Sequence, residues 1–286
     1  MSTEPITPDL LRDWPLPEPG DGKYGRGQVV VVGGAPRTPG AAMLAALAAL
    51  RVGAGRLTIG LGASVAPQVA VAIPECGVVP LGETTDGHIR GESLLAASDD
   101  LASADAALVG PGLDDADEAA ALVSDLANHL GEKTVVCLDA YALGVLERDD
   151  VDVSALAGRL LLTPNSAEAE RLLGRPLQDP EADVVEIAER FGAVVSSGGL
   201  VAAPDGRLWS SGTGTSGLGT SGSGDVLAGA LVGLCARGAD PAQAAVWATH
   251  AHGTAGDRLA VQVGPLGYLA RELLEELPRV LVEIGA

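Results

Sequence analysis

Short apolar runs alternate with helix-forming segments along most of this 286-residue chain, and this alternation constrains the fold more than any other feature. Residues 29–59 have the pattern of a strand, a glycine turn, a helix and a second strand, which is a βαβ unit. The alternation predicts an α/β, doubly wound, mostly parallel sheet with helices on both faces. Further strands are expected near 78–80, 106–109, 134–138, 160–163 and 193–196, and helices at 65–72, 116–130, 141–146, 167–173 and 182–191.

Two flanking regions complete the expected organisation. Residues 1–22 are rich in proline and acidic side chains, and we expect an N-terminal arm with a short helix around Asp9–Asp13. No linker-like segment divides the rest, so residues 23–286 are expected to form a single α/β domain. Segments 200–203 and 207–210 flank Pro204-Asp205-Gly206 and predict a β-hairpin.

A glycine-rich stretch, residues 214–225, follows this hairpin and leads at once into an apolar segment expected to be helical to about Arg237. Glycines let backbone N–H groups approach a ligand, and a helix N-terminus directs unpaired donors and its positive dipole end to the same point. The stretch therefore predicts an anion-binding site. Asp225, in the first turn, could serve as a helix cap or as a base beside the anion. A flexible linker is the alternative, but a linker would not run directly into a helix.

Two better-known glycine motifs do not fit this stretch. The spacing G-x-G-x-x-G occurs twice within 212–222, but a dinucleotide-binding unit also needs a second strand ending in an acidic residue about 20 residues on. The next expected element is instead a second helix, at 242–255. A Walker loop is excluded because Gly-Lys occurs only at Gly22-Lys23, where Tyr24 follows.

The composition of the chain limits the classes of molecule that it is expected to bind. With 38 acidic and 18 basic residues the formal net charge is −20, which disfavours nucleic acids and anionic membrane surfaces. Cys76, Cys137 and Cys235 are far apart in sequence and are expected to be buried thiols in a reducing compartment. The sequence has no leader-like segment and no apolar segment of membrane length, so a cytoplasmic location is expected. His250 and His252 do not share a helix face, so no metal site is expected there.

Further segments of interest follow strand ends, the edge at which parallel α/β sheets bind ligands. They are Gly110-Pro-Gly112, Asp139-Ala-Tyr-Ala-Leu, and Thr163-Pro-Asn-Ser-Ala-Glu168. Each could be explained separately, as a turn or as a helix cap with its capping-box acid. Their convergence with the glycine-rich stretch on one edge of one sheet favours a ligand site.

Together these segments resemble the ribokinase-like superfamily and, within it, the ADP-dependent NAD(P)H-hydrate dehydratases. The resemblance runs from about Lys23 to Val280, and the matching segments are 33–34, 39–55, 109–113, 138–143, 163–168, 221–229 and 252–257. It implies a ribokinase-like fold and assembly into homotetramers.

The resemblance also implies a chemistry: a lyase that uses ADP or ATP, with Mg²⁺, to convert hydrated NADH or NADPH back to the reduced cofactor. The ring hydroxyl would be phosphorylated and phosphate then eliminated, with Asp225 as the catalytic base. If Asp225 proved to be only a cap, the base would be sought among Asp139, Glu168 and Asp257. The implied substrate-binding residues are Ala42, Gly110, Gly112, Asn165 and Asp225, and the implied nucleotide-binding residues are Ser197, Gly198, Gly199, Gly222, Ser223 and Gly224.

The chain departs from the family pattern at four positions. Asn165 stands in place of histidine, Ser197 in place of lysine, Tyr141 in place of aspartate and Ser221 in place of glycine. Loss of the lysine removes a cation facing phosphate and predicts weaker nucleotide binding. Two other functions stay open: a ribokinase-like kinase of another small alcohol, such as a vitamin precursor or sugar, and a non-catalytic nucleotide-binding protein of the same fold.

Overall fold

A ten-stranded sheet forms the centre of the computed structural model, which describes residues 3–285. In chain order the strands are β1 (Glu4–Ile6), β2 (Gln28–Val32), β3 (Arg56–Gly62), β4 (Gly77–Leu81), β5 (Ala106–Val109), β6 (Val135–Leu138), β7 (Leu160–Leu162), β8 (Ala193–Ser197), β9 (Leu200–Ala202) and β10 (Leu208–Ser211). Across the sheet they run β1-β10-β9-β8-β7-β6-β5-β2-β3-β4. Strand β9 pairs antiparallel with β8 and β10, and the other pairings are parallel, which confirms the mostly parallel sheet.

Helices cover both faces of this sheet. They are α1 (Pro8–Asp13), α2 (Gly22–Gly25), α3 (Pro39–Arg51), α4 (Ala66–Ala72), α5 (Ser98–Ser103), α6 (Ala116–Leu126), α7 (Tyr141–Gly144), α8 (Ser166–Leu173), α9 (Pro180–Phe191), α10 (Ser223–Ala236), α11 (Pro241–Gln262) and α12 (Ala270–Ile284). Helices α3, α10, α11 and α12 contribute to the apolar core on one face, and α6, α8 and α9 to the core on the other. The doubly wound arrangement is therefore confirmed.

The predicted bounds differ most from those observed at the ends of two helices. Helix α6 ends at Leu126 rather than residue 130, because the side chains of Asn128 and His129 both bind the carboxylate of Asp125 in the turn that follows. Helix α11 runs to Gln262, beyond the predicted end at residue 255. Strand β1 and helices α2, α5 and α12 were not predicted.

The N-terminal segment packs onto the rest of the chain. Strand β1 pairs in parallel with β10, and Leu11 of the predicted short helix is fully buried. The indole N–H of Trp247 donates to the carbonyl of Trp14 at 2.9 Å. The division of the chain at residue 22 stays a prediction.

The order of strands reverses between β2 and β5, because β3 and β4 follow outward on one side and β6, β7 and β8 on the other. The loops after these two strands are joined by hydrogen bonds: Gly34 N–H donates to Pro111 and Ala35 N–H to Gly112, both at 2.8 Å. Such a switch point opens a crevice at the carboxyl edge of the sheet, where α/β proteins bind ligands.

Helix α10 is held beside this crevice by very close packing against α3. A Cβ atom added to Gly229 would lie 2.0 Å from the carbonyl oxygen of Ala45, so the two helices meet backbone to backbone. The same helix packs across β5 and β6. Small side chains in both helices thus fix the position of the glycine-rich stretch that precedes α10.

Candidate active site

Helix α10 begins with an open N-terminus. Its N-cap, Gly222, has a left-handed backbone (φ +90°) and no side chain to cap the helix. Within residues 3–285, the backbone N–H groups of Gly224 and Asp225 donate no hydrogen bond. A Cβ atom added to Gly224 would meet no protein atom within 4 Å, so the space beside these donors is open. This arrangement is suited to an anion.

Ser223 is already bonded inside the protein. Its N–H donates to the carbonyl of Thr220 at 3.2 Å, and its hydroxyl lies 3.0 Å from Nε2 of His252. The residue is buried. The nucleotide contacts expected of Gly222, Ser223 and Gly224 stay predictions, and the structure leaves Gly224 the most accessible of the three.

The carboxylate of Asp225 is half-buried and has no hydrogen-bond partner in the described part of the chain. Burial raises the pKa of Asp225 from 3.8 to about 6. At neutral pH the group is therefore mostly ionised, poorly solvated and unpaired, as a general base must be. Since no side chain caps α10, the alternative role of Asp225 as its cap is not observed.

Asp139, which follows β6, lies close enough to Asp225 for the two charges to interact. Burial is the main reason that the pKa of Asp139 rises to about 7, and the charge of Asp225 adds to it. Asp225 ionises at the lower pH, so its charge is already present when Asp139 titrates. From the sequence, Asp139 was expected in a strand-end segment at the ligand edge and was named as a substitute base, but it was not among the predicted site residues.

A hydrogen bond from Thr163 partly offsets this rise in the pKa of Asp139. The Thr163 hydroxyl donates to Oδ1 of Asp139 at 2.8 Å and lies 3.3 Å from the carbonyl oxygen of Leu138. A hydroxyl that donates to a carboxylate favours its ionised form. Burial of Asp139 and the charge of Asp225 therefore raise the pKa against this bond.

The backbone around Asp139 is tightly constrained. The next residue, Ala140, has φ +51°. Among residues 3–285 it is the one non-glycine residue with a positive φ. A Cβ atom on Gly110 would lie 1.8 Å from the carbonyl oxygen of Asp139, and Gly110 itself has φ +126°. Strained backbone of this kind concentrates at functional sites, where it fixes a side chain in one position.

The expected substrate-binding residues Ala42, Gly110 and Gly112 all lie at the switch point between β2 and β5. Ala42 is fully buried beneath Gly34, so its methyl group supports the loop after β2. Gly112 accepts a hydrogen bond from the hydroxyl of Thr38 at 2.9 Å. The structure brings these residues together, and their contact with a substrate stays a prediction.

Asn165 is the N-cap of α8 and forms a capping box with Glu168. Its Oδ1 accepts from the Glu168 N–H at 3.0 Å, and the Glu168 carboxylate accepts from the Asn165 N–H at 2.9 Å. Asn165 is exposed, and burial raises the pKa of Glu168. The capping alternative is thus observed for both residues, and a substrate contact by the Asn165 amide stays a prediction.

Ser197, Gly198 and Gly199 end β8 and form the two-residue turn into β9. The Ser197 hydroxyl donates to the carbonyl of Pro164 at 2.7 Å, which ties this turn to the loop before α8. Gly198 and Gly199 border a cavity of about 460 Å³, whose other lining residues include Thr213, Gly214, Leu218, Leu227, His252 and Gly253. Two of the three expected nucleotide-binding residues at this turn therefore face a cavity beside the glycine-rich stretch.

A second cavity, of about 470 Å³, opens beside the loop after β6. Ala140, Tyr141, Glu168 and Arg171 are among its lining residues. Tyr141 is 45% exposed, so the departure from the family's aspartate places an aromatic ring on this wall.

Residues 3–285 contain neither a metal-binding cluster nor a membrane-spanning helix. No three His, Cys, Asp or Glu side chains in 3–285 are grouped as a metal centre requires. None of the helices assigned in that range combines the length and the apolar composition needed to cross a membrane.

Comparisons with known proteins identify the family of this chain. The model of a family described as NAD(P)H-hydrate dehydratase matches residues 29–279. The chain is 42% identical to the ADP-dependent (S)-NAD(P)H-hydrate dehydratase of Xanthomonas campestris, over 96% of this chain and 95% of that one. It is 38% identical to the bifunctional NAD(P)H-hydrate repair enzyme Nnr of Moorella thermoacetica, over 91% of this chain and 50% of that protein.

A solved structure gives the same result. The crystal structure of the ADP/ATP-dependent NAD(P)H-hydrate dehydratase from Bacillus subtilis, co-crystallised with ATP/Mg²⁺, superposes with a TM-score of 0.80 at 27% identity, covering 99% of both chains. The family match spans the switch point, Asp139 and the N-terminus of α10. The chain therefore belongs to the NAD(P)H-hydrate dehydratase family.

Proposed function

We propose that this protein dehydrates hydrated NADH or NADPH to the reduced cofactor, with ADP or ATP as co-substrate. One observation carries the proposal: the unpaired carboxylate of Asp225 stands in the same helical turn as the unbonded N–H groups of Gly224 and Asp225. A base and an anion-binding group side by side suit transfer of a phosphoryl group to a hydroxyl. The names of the relatives from X. campestris and B. subtilis support the choice of substrate.

In the first step Asp225 takes the proton of the hydroxyl on the hydrated ring, and that oxygen attacks the terminal phosphorus of the nucleotide. The bond between this phosphorus and its bridging oxygen breaks, so ATP leaves as ADP, or ADP as AMP. The N–H groups at the start of α10 hold the phosphoryl oxygens during transfer. In the second step the C–O bond of the phosphate ester breaks, a proton leaves the neighbouring carbon, and the ring double bond re-forms as phosphate departs.

Asp139 controls the charge around this chemistry. Its raised pKa of about 7 leaves Asp139 partly protonated at neutral pH, which reduces the negative charge near the phosphoryl group while Asp225 is ionised. An ionised pair would repel both the nucleotide phosphates and each other. In its protonated form Asp139 is therefore a neutral neighbour of the base.

We propose that Mg²⁺ enters with the nucleotide. Mg²⁺ commonly uses one or two carboxylates together with substrate phosphates and water. Carboxylates lie near the start of α10, and the ion would be held there together with the phosphate oxygens. The ion would share the charge of the transferring phosphoryl group.

A cytoplasmic location and a homotetramer are further proposals. The thiols of Cys137 and Cys235 are buried and all three cysteines are free, as expected in a reducing compartment. The stretch 261–269 exposes the apolar side chains of Val261, Val263, Leu266 and Leu269, which supports contact with another copy. Sedimentation of the purified protein measures the assembly directly.

The function is tested by incubating the protein with NADHX or NADPHX and either ADP or ATP, and following the absorbance of the reduced nicotinamide. We expect recovery that requires both nucleotide and enzyme and is lost in Asp225→Asn. Turnover of another alcohol without recovery from either hydrate would instead identify a kinase. Nucleotide binding without any turnover would identify a binding protein.

A further inference from the structure

The segment His252–Asp257 matches the family pattern, yet the proposed reaction does not use it. It lies in α11, and His252, Gly253, Gly256 and Asp257 have the spacing that places residues on one face of a helix. This face meets the segment 213–223, which leads from the hairpin into α10. We propose that these four residues position that segment for the nucleotide, so that α11 sets the geometry of the anion-binding site.

His252 holds the end of the segment nearest the base. Its Nε2 lies 3.0 Å from the carbonyl oxygen of Ser223 and 3.0 Å from the Ser223 hydroxyl. Because a carbonyl oxygen only accepts, Nε2 carries the hydrogen. Burial lowers the pKa of His252 to about 4, so the ring is neutral at pH 7 and serves as a donor without charge. Ser223 is two residues before Asp225, so this bond fixes the first turn of α10.

Asp257 holds the other end. Its Oδ2 accepts a hydrogen bond from the backbone N–H of Gly214 at 3.0 Å. A carboxylate that accepts from a backbone N–H forms a charge-assisted bond, which is stronger than a bond between neutral groups. One rigid helix thus binds the segment at both Gly214 and Ser223.

The two glycines allow the middle of the segment to approach the same helix face. A Cβ atom on Gly253 would lie 2.3 Å from the hydroxyl oxygen of Thr213, and one on Gly256 would lie 2.7 Å from Cδ2 of Leu218. Neither glycine has a positive φ, so the requirement is for space and not for an unusual backbone. Glycine is unfavourable inside a helix. Its presence at both positions is explained by this close contact.

These contacts also shape the cavity beside the glycine-rich stretch, because Thr213, Gly214, Leu218, His252 and Gly253 all line it. The role assigned to α11 rests on the proposed function only in naming the nucleotide as the ligand. None of the four residues needs to touch the reacting atoms. They are positioning residues, and their loss should weaken nucleotide binding more than binding of the hydrated cofactor.

The test compares Asp257→Ala with Asp257→Asn, and His252→Ala with His252→Gln. We expect the affinity for ADP, measured by calorimetry, to fall about tenfold in each alanine variant, from the loss of one hydrogen bond to a buried or charged partner. Asparagine retains an acceptor and glutamine a donor, so both conservative variants should recover most of the affinity. Asp99→Ala, which removes an exposed carboxylate in α5, is the matched control. The KM for the hydrated cofactor should change little.

Hydrogen–deuterium exchange of the segment 213–223 gives a readout that needs neither nucleotide nor activity. Faster exchange in Asp257→Ala than in wild type and Asp99→Ala supports the assignment, even if ADP proves not to be the ligand. Unchanged exchange in folded Asp257→Ala overturns it, as does ADP affinity within twofold of wild type in both alanine variants. If only the proposed function fails, the wild-type protein binds no ADP, but the exchange difference between Asp257→Ala and wild type remains.

Discussion

Replacement of Asp225 by asparagine tests the proposed base and gives opposite expectations for activity and for stability. Asparagine has nearly the same size but no basic carboxylate. A positioned general base contributes about 10²- to 10⁴-fold in rate, so kcat should fall by at least about two orders of magnitude. The wild-type carboxylate makes no hydrogen bond in the described chain, so the substitution breaks no internal bond.

The stability effect follows from the raised pKa. Burial moves the pKa of Asp225 from 3.8 to about 6. At about 1.4 kcal/mol for each pH unit, this difference corresponds to about 3 kcal/mol. Because the folded state holds the proton more tightly than the unfolded state, ionisation destabilises the folded protein. The destabilisation is absent below the unfolded value of 3.8, grows as the pH rises, and is complete above the folded value of about 6.

Asparagine carries no charge at any pH, so Asp225→Asn should be more stable than wild type at neutral pH, by up to about 3 kcal/mol. The difference should vanish at low pH. Denaturant titrations at about pH 4 and about pH 7.5 measure both free energies of unfolding. Asp99→Asn, at an exposed position, is the control and should differ little from wild type in activity. An Asp225→Asn protein that keeps its activity, or that is less stable than wild type at neutral pH, would refute the assignment.

Three further predictions concern the surroundings of the base. Gly224→Val should fold, because a Cβ atom there meets no protein atom within 4 Å, but it should weaken ADP binding measured by calorimetry. Gly222→Ala should instead lower the stability of the protein, because its Cβ would lie 2.5 Å from Cδ1 of Leu44. Unchanged ADP affinity in folded Gly224→Val would remove the start of α10 from the nucleotide site. Ser197→Lys restores the cation of the family pattern and should tighten ADP binding by about 1 to 3 kcal/mol. Loss of the hydrogen bond from Ser197 to Pro164 reduces this gain by about 1 kcal/mol. If the same titration shows no tightening, this turn does not face the phosphates. In wild type, kcat/KM should fall on the acidic side as Asp225 is protonated near pH 6 and on the alkaline side as Asp139 ionises near pH 7, and Asp139→Asn should abolish the alkaline fall while keeping activity at neutral pH. If instead Asp139→Asn loses affinity for Mg²⁺ and ADP together, Asp139 binds the metal and the neutral role is wrong.

Much of the site was predictable because its signals are local. A strand-forming run followed by glycine or by an acidic residue identifies a strand end, and parallel strands bring their ends to one edge whatever their spacing along the chain. This reasoning placed Asp225 at the start of a helix and Gly110 directly after a strand, and the structure agrees with both positions. The same local pattern includes Asp139, but the importance of this residue depends on neighbouring groups that the sequence does not reveal.

Signals that depend on contacts between distant segments were not readable. Helix α12 has a strongly amphipathic sequence, a local signal that could have predicted it, but no expectation was made for it. The bond between His252 and Ser223 joins two helices, 29 residues apart in sequence. Spacing could exclude a two-histidine metal site on α11 but could not show what His252 contacts.

The sequence by itself determined the α/β class, the mostly parallel sheet and the glycine-rich helix start with its aspartate, because each follows from side-chain size, periodicity and backbone freedom within a few residues. Tertiary structure alone decided the electrostatics. Burial and the approach of α10 to the end of β6 set the pKa of Asp225 at about 6 and that of Asp139 at about 7. The cost of charge depends on solvent exposure and on the distance between carboxylates, and both quantities exist only once separate elements have packed together.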